Sequence, residues 1–298
     1  MENNLFVQKR VPINGIEMNY YEQGKGEPIL YLHGIPVNSF LWRNIVPATS
    51  TTGRSVAVDL AGYGLSDVPP GGDYSIQKQY DYLKGFIDHL GLKNITLVVN
   101  DLGSLLGLKF AVENRDRIKR IVFIEAVFMP TQQWYRQLSF QQKMMFLLFR
   151  NKKIAYHWIV KKNKIPEMMI GQMVVRKLSD EEKDYYLNPY KTDMEKRKVI
   201  LEGPGPATFP PGGKKRSKGD FADEVDKVAK GLIELNRKVP FLILYARPGI
   251  ITRRKALKYA RKNFEKLTMI NLGHGKHFLQ EDHPGAIARH IKNWIEEN

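Results

Sequence analysis

The stretch ITLVVNDLGSLLGLKFA, residues 95–111, decides the fold. An apolar run from Ile95 to Val99 breaks into Asn100-Asp101-Leu102-Gly103-Ser104, and apolar residues then resume at helical spacing. A strand that ends in x-nucleophile-x-Gly and passes straight into a helix is a nucleophile elbow. The sharp turn holds one side chain above the carboxyl edge of a sheet. The glycine lets helix and strand pass closely, and the helix N-terminus favours negative charge. Ser is common at the exposed position; here it is Asp101. A carboxylate can itself be a nucleophile, forming an ester with an electrophilic carbon. An Asp at this point also serves as a helix N-cap, so these residues alone leave both roles open.

Outward from this stretch, strands alternate with helices. FVQKRVPINGIEMNYYEQGKGE (6–27) reads as two strands around a turn at Asn14-Gly15. PILYLHG (28–34) and SVAVDLAGYGLSD (55–67) are buried strands, the second ending in a Gly-rich loop, and 76–90 follows helical periodicity. After the strand at 95–99 come a helix from about 103 to 114 and the strand RIVFIEA (120–126). Alternation then stops near Pro130. Residues 131–215 carry helical patterns rich in Lys, Met and aromatics, closed by the loop EGPGPATFPPGG (202–213). It returns with VPFLILYARPG (239–249), a helix at 253–263, LTMINLG (267–273) and a last amphipathic helix from 284. The expected architecture is α/β: a mostly parallel eight-stranded sheet with helices on both faces. Residues 1–130 and 216–298 would form the core, and 131–215 a helical lid inserted after strand six.

An ester on Asp101 must be hydrolysed, which needs a base. GHGKHFLQEDHP (273–284), after the last strand, offers His274, His277 and His283. The chain order nucleophile, acid, His fits such a machine. The base needs a carboxylate to fix its tautomer. FLILYARPGIITRR (241–254) holds none, whereas RIVFIEA ends on Glu125. LYLHGIPVNSFLWR (30–43) resembles an oxyanion-hole loop, with backbone N–H groups of Ile35 and Leu102 facing developing charge. His33 reads as a structural member of that turn.

With these residues in place, the chain resembles the haloalkane dehalogenases, an α/β-hydrolase family that also contains a coelenterazine luciferase. The likeness runs through LHGIPVNSFLWRNIVP, VAVDLAGYGLSD, VVNDLGSLLGLKFA, IEAVFMP, RKLSDEEKDYYLNPY in the lid, Pro248-Gly249 and HFLQEDHP. The resemblance implies Asp101 as nucleophile, His277 as base and Glu125 as the acid that holds it. Two positions depart from the pattern. The family holds its leaving halide between an Asn at the position of Ile35 and a Trp at that of Leu102. Neither Ile nor Leu has a side-chain donor. Losing one donor to developing charge costs roughly 100- to 1000-fold in rate. Arg247 also stands where relatives often carry a carboxylate. Trp134 and Trp158 could supply a replacement donor, and Tyr135, Tyr156, Tyr185, Tyr186 or Tyr190 could polarise an epoxide oxygen. With Phe128, Phe209 and Phe278, the two tryptophans are the expected pocket wall.

The expected function is a dehalogenase-like hydrolase acting on a small apolar electrophile, with dehalogenation itself weak or absent. Epoxide or ester hydrolysis, luciferase-like cofactor-independent monooxygenation and non-catalytic binding of a small molecule are the alternatives. Composition bounds the rest. The chain has 298 residues, 43% apolar, enough for a large core. It has no cysteine, which removes thiolate chemistry and disulfides. The net charge of +16 is spread without an aromatic-basic motif, so nucleic acid is not expected as a partner. No leader and no 18-residue apolar run are apparent. A cytoplasmic monomer or weak homodimer, without membrane, metal or cofactor, is the expectation.

Overall fold

The computed structural model describes residues 7–204 and 221–298. Its centre is one eight-stranded sheet, built from β1 (Gln8–Ile13), β2 (Ile16–Gln23), β3 (Pro28–Leu32), β4 (Arg54–Val58), β5 (Ile95–Asn100), β6 (Ile118–Ala126), β7 (Phe241–Pro248) and β8 (Leu267–Gly275). The strand order is β1-β2-β4-β3-β5-β6-β7-β8. β1 and β2 pair antiparallel, and β2 meets β4 antiparallel. Every pairing from β4 to β8 is parallel.

The central strands read as unbroken apolar runs because both faces are covered. On β3, Leu30 and Leu32 join one core cluster while Ile29 and Tyr31 join the other. The first cluster packs beneath helices Ile76–His89, Asp101–Glu113 and Phe221–Asn236; the second lies beneath the C-terminal helix Pro284–Glu297. Each fully buried Val, Leu or Ile contributes roughly 1.5–3 kcal/mol, and β5 is buried along its whole length. The strand that carries the elbow is thus held at the middle of the sheet.

Chain order reverses between β3, which leads outward to β4, and β5, which starts the run toward β8. Loops leaving the carboxyl ends of β3 and β5 diverge there and open a crevice, the usual ligand position in an open parallel sheet. Asp101 follows β5 and His33-Gly34-Ile35 follows β3, so both segments border that point.

Between β6 and β7 the chain forms a series of helices, including Thr131–Tyr135, Phe140–Phe149, Lys164–Gln172, Asp180–Thr192 and Met194–Glu202. Helices Phe140–Phe149 and Asp180–Thr192 both begin with a capping box, from Ser139/Gln142 and Ser179/Glu182. A buried ionic network clasps this segment to the core. Arg43 bonds Glu281 through both terminal nitrogens, at 2.6 and 2.8 Å, and reaches Glu182 at 2.6 Å. Arg176 bridges Glu182 and Glu281, and the Tyr186 hydroxyl donates to Glu281. The Asp282 carboxylate accepts the N–H groups of Val175 and Arg176. Glu281 and Asp282 of HFLQEDHP therefore fasten the helical segment next to the loop that carries His277.

Helix Phe221–Asn236 is an element beyond those expected from the sequence. Its buried positions Ala222, Val225, Val228, Ala229, Leu232 and Leu235 follow helical spacing and pack against helix Asp101–Glu113. The helix after β5 begins at Asp101, two residues before the expected Gly103. Among the described residues, no helix is long and apolar enough to cross a membrane.

Candidate active site

The turn at Asp101 is tight and strained. Asp101 has φ +45°, in the left-handed region that non-glycine residues rarely adopt. Two glycines make the turn possible. A Cβ on Gly103 would lie 2.6 Å from the carbonyl oxygens of Leu32 and His33, and a Cβ on Gly34 only 2.2 Å from the Asp101 Cβ. Gly103 N–H donates to His33 O at 2.9 Å, tying the turn to the end of β3. The Ser104 hydroxyl donates back to Asp101 O and accepts Val127 N–H at 2.9 Å, tying it to the end of β6. The Asp101 side chain, 23% exposed, stands at the mouth of the crevice.

Glu125, the next-to-last residue of β6, also sits at φ +45°. Backbone of this kind costs on the order of 1–3 kcal/mol per residue and persists where the surroundings over-determine it. Its carboxylate is fully buried and fully engaged. Oε2 accepts the N–H groups of Ile250 and Ile251 at 2.8 and 2.7 Å, and Oε1 that of Thr252 at 3.2 Å. The loop after β7 thus contributes no acid but three amide donors that hold the acid from β6. The Thr252 hydroxyl adds a bond to it from Ala126 N–H.

His277 lies between the two carboxylates and is 2% exposed. Nδ1 faces Glu125 Oε2 at 3.4 Å, and Nε2 faces Asp101 Oδ2 at 3.6 Å. Both carboxylates accept, but only the Nδ1–Glu125 contact is within hydrogen-bond distance, so the proton of a neutral ring belongs on Nδ1 and Nε2 is left facing Asp101. Burial pushes the His277 pKa down, but donation to Glu125 and the charges of Asp101 and Glu125 outweigh it, so the net shift is upward. The loop is pinned from the helical segment, since His277 N–H and Phe278 N–H both donate to Met173 O, at 3.0 and 3.1 Å.

The other histidines are placed differently. His274 is exposed, and its carbonyl accepts from His283 Nε2 at 2.8 Å. His33 is fully buried, accepting Leu60 N–H on Nε2 at 3.0 Å and donating from Nδ1 to Gly34 O at 2.8 Å. Both its nitrogens are used, and burial holds its pKa down against the charges of Asp59 and Asp101.

Ile35 N–H donates to Asp101 Oδ1 at 3.0 Å. Leu102 occupies the first turn of its helix, where backbone N–H groups lack intrahelical acceptors. The side chains of both residues are buried and aliphatic. The site therefore offers backbone donors beside Asp101 but none from these two side chains.

A family model described as the alpha/beta hydrolase fold matches residues 27–284. The haloalkane dehalogenase of Mesorhizobium japonicum is 32% identical over 294 residues, covering 97% of this chain and 91% of that protein. The crystal structure of the haloalkane dehalogenase DatA from Agrobacterium tumefaciens superposes with a TM-score of 0.88 at 29% identity, over 99% of this chain and 97% of its own. That of DbeA from Bradyrhizobium elkani gives a TM-score of 0.85 at 29% identity, over 98% of each chain.

The chain belongs to the haloalkane dehalogenase family of α/β-hydrolases. It is a hydrolase by that membership. Ile35 and Leu102 flank Asp101 with aliphatic side chains, and Arg247 is exposed near the end of β7.

The expected pocket wall divides. Trp134 is buried, its ring 6.1 Å from that of Phe146. Trp158 is a surface side chain, 46% exposed and edge-on to His157. Phe128 turns into the core, edge-on to Phe123 and beside Phe264. Phe278 is buried, its ring centroid 4.8 Å from that of His277. Phe209 lies outside the described residues. Among the tyrosines, Tyr186 belongs to the Glu281 network, and Tyr185 stacks on Phe40 and accepts from Gln8. Tyr135 and Tyr156 are only partly buried. Tyr190 is fully buried.

Proposed function

We propose that the protein hydrolyses a small apolar electrophile through an ester on Asp101. The observation that carries this reading is the Asp101 carboxylate itself, with one oxygen facing Ile35 N–H and the other facing His277 Nε2. An Asp101 oxygen attacks the electrophilic carbon, and the leaving group departs. His277 then takes a proton from water through Nε2 while that water attacks the Asp101 acyl carbon. Charge develops on the ester carbonyl oxygen, where Ile35 N–H already points and Leu102 N–H lies one residue beyond the nucleophile. Glu125 holds the His277 tautomer and stabilises the imidazolium. The helices from Thr131 to Glu202 act as a lid over this site, a role supported by the Met173 contact to the His277 loop.

Ester formation removes the Asp101 charge, one of the causes that raise the His277 pKa. The base is thereby freed at the step that needs it. Asp101→Asn is expected to reproduce this shift, lowering the His277 pKa in an NMR pH titration of its ring protons. In the parent, His277 should titrate above its ordinary value of about 6.5. Its protonated form then stabilises the fold fully below about pH 6.5, and that contribution is lost as pH rises through the folded pKa. An unchanged titration in Asp101→Asn would detach His277 from Asp101.

Departure of a halide is the weak step, because Ile35 and Leu102 present methyl groups where the family places donors. The double variant Ile35→Asn/Leu102→Trp is expected to raise bromide release from a 1-bromoalkane by about a hundredfold or more, the scale of one recovered donor. Trp exceeds Leu in volume, so overpacking of about 1–3 kcal/mol is expected to appear in the thermal melt. Parental activity already at that level would refute the weakened halide site.

A further inference from the structure

Helix Phe140–Phe149 is apolar on both sides, and Lys143 is its only charged residue. Met145, Phe146 and Phe149 face inward and pack on the core. Phe140, Met144, Leu147 and Leu148 face outward and are between 47% and 77% exposed. At positions i, i+4, i+7 and i+8 they form one stripe, about 100° wide, along the outer face. A helix facing water turns polar residues outward, and one that is apolar all round is normally covered. Removing each large side chain of such a stripe from water is favourable by roughly tenfold or more.

The charge beside the stripe says what covers it. Between Glu125 and Glu167 the sequence has no acidic residue, yet it holds eight Lys and Arg. Lys152, Lys153, Lys161 and Lys162 are exposed. Among the described residues, only Lys164 of this set has a carboxylate partner, Glu167 at 2.7 Å. Lys152 and Lys153 begin helix Lys152–Ala155, and Lys161 ends the helical turn Tyr156–Lys161, which carries the half-exposed Trp158. Helix Lys152–Ala155 packs between that turn and helix Phe140–Phe149, which keeps the basic run on the same part of the segment as the stripe. A second copy of this chain would set the same basic residues against each other, so self-pairing is opposed by repulsion. An apolar stripe of Phe, Met and Leu with lysines at its margin is instead the pattern of a helix that lies in a membrane interface.

We propose that helix Phe140–Phe149 and the basic run after it dock the protein onto an anionic lipid surface. The apolar stripe enters the headgroup boundary, and the lysines meet the negative headgroups. The contact lies along the surface, so it needs no spanning helix, and among the described residues there is none. It departs from the expectation of no membrane partner, which rested on segments that cross a bilayer rather than lie on one. It is independent of the chemistry at Asp101.

The test floats the full chain with vesicles of phosphatidylcholine, alone or mixed with phosphatidylserine, at physiological salt. Partition onto the mixed vesicles is expected to exceed that onto phosphatidylcholine by about tenfold or more, since each lysine at an anionic surface contributes about fivefold. Phe140→Gln/Leu147→Gln is expected to weaken it by about tenfold or more, and Lys152→Gln/Lys153→Gln by about twenty-fivefold. All four side chains are exposed, so melting temperatures are expected to stay at the parental value. The chain has no cysteine, so Leu147→Cys carries a single environment-sensitive fluorophore, whose emission is expected to shift to the blue on the mixed vesicles. Equal binding to both kinds of vesicle, or binding to neither, overturns the proposal. Binding that both Gln variants leave unchanged overturns this site and places the attraction elsewhere on a chain of net charge +16. A dimer in sedimentation velocity that Phe140→Gln/Leu147→Gln dissolves, with no vesicle binding, overturns it in favour of a second copy.

Discussion

Asp101→Ala is expected to abolish hydrolytic turnover, a loss of roughly 10⁴-fold or more, the scale seen when one member of a nucleophile-base unit is removed. The size follows from the geometry. Ile35 N–H and His277 Nε2 both address the Asp101 carboxylate, so removing it leaves the donor and the base with nothing to act on. The fold is expected to survive. The side chain is partly exposed, and the turn is bound through backbone atoms of Gly103 and the Ser104 hydroxyl. A variant with an unchanged melting temperature and parental turnover would exclude an aspartyl ester.

His277→Ala is expected to split the reaction. Alkylation of Asp101 does not need the base, whereas hydrolysis of the ester does, so turnover should fall by roughly 10⁴-fold or more while protein mass rises by that of the substrate fragment. Intact mass spectrometry reads this directly, and peptide mapping places the adduct. Rescue of turnover by His274 or His283 is not expected. His274 is exposed, and His283 Nε2 is committed to the His274 carbonyl. Multiple turnovers without a persistent adduct would remove His277 from the mechanism.

The sheet was legible in the sequence because its central strands are long apolar runs and its connections helical, signals that survive without knowledge of contacts. Asp101, Glu125 and His277 stand out as candidates because each sits at a strand end or in the loop that follows one. What holds them does not. Glu125 is kept by three backbone N–H groups, from Ile250, Ile251 and Thr252, which any residue type but proline supplies. Met173 fixes the His277 loop through its carbonyl, so its side chain gives no hint. The left-handed backbone at Asp101 and Glu125 leaves no mark in composition, since neither is glycine. Helix Phe221–Asn236 carries the usual apolar spacing, but the Pro- and Gly-rich sequence that precedes it masks where the helix begins. Five tyrosines between residues 135 and 190 look equivalent by spacing. Burial and partners separate them, because Tyr186 is consumed by the Glu281 network and Tyr185 by Gln8 and Phe40.

The central claim, that Asp101 becomes esterified and is then hydrolysed at its acyl carbon, is tested most directly by oxygen labelling. Parent protein in molar excess is given one turnover of 1,2-epoxyhexane or 1-bromohexane in H₂¹⁸O, and both the product and the peptide carrying Asp101 are weighed. The account predicts ¹⁸O in the Asp101 carboxylate and unlabelled oxygen at the newly formed C–O bond of the product. Label in the product with none in Asp101 would mean that water attacks the substrate carbon directly, and would contradict it.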